Sequence, residues 1–120
     1  MVQGNITCMA EVDTLQRLDA PAILLVALDA RSEAACVAML LDSGIRILKS
    51  RHASAACERM PVTMPKLVVA SLTIPNAEAM PLMDQIIAVG AKAIWVEPNI
   101  DPQVMRDRLV PEVAALLSKP

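Results

Sequence analysis

A chain of 120 residues is long enough to bury one hydrophobic core without disulfide or metal staples, and too short for two independent domains. Apolar residues make up 55% of it, supplied by Ala, Val, Leu, Ile and Met with Trp95 as the only aromatic, a composition suited to aliphatic strands covered on both faces by helices. The net charge of −2 comes from scattered charges of both signs, which argues against nucleic acid and anionic membranes as partners.

Cys8, Cys36 and Cys57 are odd in number and lie in apolar neighbourhoods, so reduced thiols in a cytoplasmic protein are expected rather than a disulfide framework. The first five residues carry no positive region followed by an apolar one, and no apolar run approaches the roughly 18 to 20 residues of a membrane span. A soluble, unsecreted protein follows as the expectation.

Residues 1–21 form an N-terminal extension in which 5–9 can be read as an additional strand and 10–18 as a short amphipathic helix with Val12, Leu15 and Leu18 on one side. From residue 22 to 120 the pattern is that of a single α/β domain. Residues 23–28 are a continuous apolar run, the mark of a strand buried on both faces. The spacing over 31–42 predicts a helix, with Asp29 or Ser32 as N-cap and Gly44 as its stop. A weaker strand at 45–48 and an Ala-rich helix at 53–60, ended by Pro61, come next. Residues 67–72, apolar apart from Ser71, make a further buried strand. A helix at 77–89 carries Met80, Met83, Ile86 and Ile87 at spacings of three or four, stops at Gly90, and places Pro81 in its first turn. A strand at 93–96 precedes a last helix that opens on Asp101 and Pro102 and turns Leu109, Val113, Leu116 and Leu117 to the core, with a kink or break expected near Val110 because Pro111 follows. Four strand-helix units in succession imply a mostly parallel sheet with right-handed crossovers.

The joint register of these segments resembles a known family. Residues 23–26 look like the first strand of the CheY-like receiver domain of bacterial response regulators, and Gly44 lies where that family has a glycine after its first helix. The segment 65–75, a proline, a hydrophobic strand and a second proline four residues beyond Ser71, looks like the surroundings of the phosphoacceptor. The resemblance implies a flavodoxin/CheY-like three-layer α/β/α fold with a mostly parallel sheet of four or five strands. It places Ser71 at the phosphoacceptor position, Ala27, Leu28 and Asp29 at the acidic pocket, and Glu97 at a switch position, whether the segment 90–98 is matched to the family's fifth strand or to its fourth. Active receivers need an aspartate nucleophile and an acidic pair that helps to hold Mg²⁺, because a hard dication wants several oxygen ligands. Ser, Ala and Leu at those positions imply a degenerate receiver, shortened by one strand-helix unit.

The expected function is a non-enzymatic pseudo-receiver, a signalling or scaffolding module of the two-component type that binds a protein partner or forms a homodimer, with no cofactor and no metal. The rival is a small-ligand-binding or enzymatic flavodoxin-like domain with its site at the carboxyl ends of the strands. Against the rival, no Gly-rich phosphate loop follows Val26 and no nucleophile, base and orienter set is evident. For Asp29 the bland reading, a helix N-cap, is preferred over a relic metal ligand; for Ser71, an inert residue at a strand end over a phosphoacceptor; for Glu97, a solvated loop carboxylate over a charge mimic. His52 has no partner at metal-ligand spacing and reads as a surface residue. Trp95 is divided between core and interface, and is the candidate interface residue.

Overall fold

The computed structural model describes residues 21–41 and 43–117. The strand expected at 5–9 and the helix expected at 10–18 lie outside the described residues. In chain order the elements are β1 (Ala22–Val26), α1 (Ala30–Leu40), β2 (Arg46–Ser50), α2 (Ala53–Thr63), β3 (Leu67–Ser71), α3 (Asn76–Ala88), β4 (Lys92–Val96) and α4 (Pro102–Leu117).

All strand pairs are parallel and the sheet order is β2-β1-β3-β4. Among the described residues this is the flavodoxin-like order 2-1-3-4-5 without its fifth strand. Successive residues of a strand point to opposite faces, which is why β1 and β3 read as unbroken apolar runs. Ile23, Leu25, Leu67 and Val69 pack with Cys36 and Leu40 of α1 and with Met105, Leu109 and Val113 of α4. Leu24, Val26, Val68 and Ala70 pack on the other face with Ala56 and Met60 of α2 and with Leu82 and Ile86 of α3. The three-layer α/β/α expectation is met.

The last helix settles which unit is absent. β4 lies beside β3, in the fourth place of the order, while α4 packs against α1. Among the described residues there is therefore no helix between the fourth strand and α4 and no fifth strand, and α4 crosses to the α1 side.

The prolines correct three expectations. α2 does not end at Pro61 but runs through it to Thr63; α3 holds Pro81 at its sixth residue, beyond the first turn; α4 runs unbroken through Pro111. Burial on either side of each ring supplies the reason for the last two. The half-buried Ala79 and the buried Leu82 bracket Pro81, and Leu109 and Val113 bracket Pro111, so one continuous helix keeps both anchors of each pair against the core. Tertiary packing outweighs the lost backbone bond. The acidic cap and first-position proline of α4 are as expected: the Asp101 carboxylate accepts from the Gln103 N–H at 2.8 Å.

α2 closes on Met64, whose φ of 47° and ψ of 60° are left-handed and whose N–H donates to the Met60 carbonyl. This is the place where a helix usually has glycine, since a β-carbon is crowded there. The Met64 residue is about half exposed, so only part of its side chain's burial is lost on removing it. Met64→Gly is expected to stabilise the fold by about 1 kcal/mol, read as a higher urea midpoint at unchanged slope.

Candidate functional site

The carboxyl ends of β1, β3 and β4 form one rim of the sheet. The reversal of strand order between β1 and β3 opens there the crevice in which domains of this topology place their sites. Five of the residues singled out from the sequence meet at or beside it.

Ala27 leaves β1 with a φ of 57°, and its N–H donates to the Ser50 carbonyl at 2.8 Å, extending the β1–β2 ladder by one bond. Leu28 turns its side chain into the cluster under α1 and α4. Asp29 is the N-cap of α1. One carboxylate oxygen accepts from the Ser32 hydroxyl at 2.7 Å and from the Asn99 N–H at 3.1 Å, and the other accepts from the Ser32 N–H at 3.1 Å. These bonds stabilise the ionised form and hold the carboxyl below its ordinary value of 3.8, with the Ser32 hydroxyl as the largest cause.

Ser71 ends β3 and is buried. Its hydroxyl shares a hydrogen bond of 2.7 Å with the Thr73 hydroxyl and accepts from the Thr73 N–H at 3.1 Å, a local turn motif. No carboxylate or imidazole is among its hydrogen-bond partners. Glu97 follows β4 and pairs with Arg108 of α4 at 3.1 Å. The same guanidinium donates to the Trp95 carbonyl at 3.3 Å. The bonds from the Lys92 N–H to the Lys66 carbonyl and from the Leu72 N–H to the Val96 carbonyl show that Ala93 and Trp95 turn their backbone groups away from β3, toward an edge that is unpaired among the described strands and that Arg108 covers in part. Trp95 is half-buried, its side chain packed on the α2 and α3 side.

Nothing in the sequence singles out Asn99, Thr73 or Arg108 as partners of these residues, and Ser32 reads there only as an alternative cap. The three-residue step from Asp29 to Ser32 was a usable signal, being the spacing from N-cap to third helical residue. Asn99 sits at a φ of 52°, a conformation for which Asn is enriched, but its bond to a residue 70 positions away leaves no local trace. His52 is exposed at the start of α2 and makes no side-chain cap, in keeping with a surface residue.

The receiver chemistry would need a dication here, and the residues do not fit one. The rim offers Asp29, whose oxygens are committed to Ser32 and Asn99, and Glu97, neutralised by Arg108. No group of three or more His, Cys, Asp or Glu residues suited to a metal occurs among the described residues. A cleft of about 200 Å³ lies at the opposite rim, between Lys66, Gly90, Lys92 and Glu112, away from where the rival reading puts its ligand. No helix among the described residues is long and apolar enough to cross a membrane.

A parallel sheet in this order, with helices on both faces and the rim of loops just described, defines a domain of the receiver fold. The response regulator domain of Thermotoga maritima CheB matches it with a TM-score of 0.62 at 13% identity, over 84% of this chain and 99% of the other. The receiver domain of NtrC4 from Aquifex aeolicus matches at 0.59 and 11% identity, over 81% and 96%. The pseudo-receiver domain of CikA matches at 0.58 and 15%, over 84% and 100%. No family model and no curated protein matches the chain. At these identities the likeness is one of fold.

Proposed function

We propose that this domain is a pseudo-receiver, a non-catalytic signalling or scaffolding module that works through protein contacts without phosphorylation control. In this reading Ser71 stands at the phosphoacceptor position, Ala27, Leu28 and Asp29 at the acidic pocket, and Glu97 at the switch position, each without its reactive chemistry, while Trp95 belongs to the interaction surface. The observation that carries the reading is the state of the rim. The Ser71 hydroxyl is engaged by Thr73 and lacks a base, and Asp29 caps a helix in place of holding a metal. A related fold named a pseudo-receiver in CikA supports the class. The scattered charge and the free thiols Cys36 and Cys57 support a cytoplasmic protein that does not bind nucleic acid.

Incubated with Mg²⁺ and acetyl phosphate, the full chain is expected to show no added phosphoryl group by intact mass. A stoichiometric adduct at Ser71 or Asp29 would overturn the reading.

A further inference from the structure

The sheet ends on β2 and β4, each paired on one side only among the described strands. In a parallel ladder a residue turns its N–H and its carbonyl to the same side, and its two neighbours turn theirs to the other. The Arg46 N–H donates to the Pro21 carbonyl, and the Ser50 carbonyl accepts from the Ala27 N–H. Arg46, Leu48 and Ser50 therefore face β1, while Ile47 and Lys49 face off the sheet. On β4 the residues facing off the sheet are Ala93 and Trp95. Both edges thus present outward N–H and carbonyl groups at the second and fourth residues of the strand.

The fourth carbonyl is taken on both edges, and by the same kind of group. Arg59 of α2 donates through Nη1 to the Lys49 carbonyl, and to the Ser50 hydroxyl at 3.3 Å. Arg108 of α4 donates to the Trp95 carbonyl at 3.3 Å and is held by Glu97 at 3.1 Å. α2 and α4 lie on opposite faces of the sheet, so the two guanidinium groups reach over their edges from different sides. A strand arriving at either edge has to displace a charged planar group from one of the carbonyls it needs, or bury that charge against its own backbone.

We propose that Arg59 and Arg108 plug the two edges of the sheet and keep it from adding a strand of a second copy of this chain. The edges do not need them equally. β2 carries Arg46 and Lys49 within the strand, charges that themselves discourage pairing. β4 has Lys92 at its start and then runs uncharged through Ala93, Ile94, Trp95 and Val96, the last three of which favour extended pairing. The hazard lies at β4, and Arg108 is the plug that matters more.

Arg108→Ala removes a positive charge from a chain whose net charge is already −2. Association of this variant would run against added repulsion between copies, so it reports the lost plug and not a lowered charge. At a concentration where the parent is monomeric, Arg108→Ala is expected to sediment as a species of about twice the mass, two copies joined through β4. Arg59→Ala is expected to move little, and the double variant, with both edges open, to grow past the dimer. Arg108→Lys, which keeps a charge and a donor at the edge, is expected to associate less than Arg108→Ala. Arg108 is exposed, and circular dichroism is expected to show the variants folded. Amide hydrogen exchange locates the contact: the Ala93 and Trp95 N–H groups are expected to exchange freely in the parent and to be protected in the Arg108→Ala dimer.

Amides of Ala93 and Trp95 already protected in the parent would overturn the proposal, because a strand from residues 1–20 or from a second copy would then occupy the edge. So would an Arg108→Ala variant that sediments as the parent does, equal association of the lysine and alanine variants, or association that leaves these two amides unprotected.

Discussion

Leu109→Ala is expected to cost about 2–5 kcal/mol of stability, a large share of the roughly 5–15 kcal/mol that holds a domain of this size together. Leu109 is fully buried, and α4 uses it with Met105 and Val113 to cover the face of the sheet shared with α1. Its removal opens a cavity between α4 and the strands that backbone relaxation only partly closes. The neighbouring Val110 is about half exposed, and Val110→Ala should stay within about 0.5 kcal/mol. Urea unfolding followed by circular dichroism separates the two variants: the midpoint falls sharply for the first and hardly for the second, with the slope unchanged in both. Equal midpoints would mean that α4 is not packed as described.

Asp29→Ala is the second large effect, about 1–2 kcal/mol. The substitution removes the acceptor for two donors on Ser32 and one on Asn99, and leaves the buried Ser32 hydroxyl without its partner. It also unties the loop after β1 from the loop after β4. Asp29→Asn keeps an acceptor oxygen and should lose less. The two variants share a pH signature. The Asp29 carboxyl is held below its ordinary value in the folded chain, so the unfolded chain takes up the proton first as the solution is acidified. The stability contributed by the ionised group is complete above the unfolded value, near 3.8, and is lost as pH falls through the lower folded value. Both variants should show a shallower acid-side decline than the parent. Parallel declines would remove Asp29 from the acid transition.

The strands were legible because each central one is buried on both faces, so its run of Ile, Leu and Val had no competing helical period. The helices were legible as stretches between strands, and their ends less so. A proline at 81 or 111 reads locally as a stop, yet Ala79 with Leu82, and Leu109 with Val113, hold the backbone helical through packing that no local window contains. Ala27 in a left-handed conformation has no signature in the sequence, since alanine has no preference for it. The place of β4 in the sheet was open between two registers because it depends on which strand it pairs with and where α4 goes. The empty chemistry of the rim was legible from residue types alone: Ala, Leu and Ser cannot become acids in any fold. What those residues do instead, the Ser71 turn and the Asp29 tie to Asn99, required the geometry.

The contact between α1 and α4 joins the first described helix of the chain to the last. The opposite face of the sheet has both its helices once α3 has been made, whereas Leu40 and Cys36 wait for residues 102–117 before their side of the core is sealed. At about 5–20 residues per second, a ribosome holds the nascent domain in this half-finished form on the order of seconds, with one greasy flank bare to chaperones and neighbouring chains.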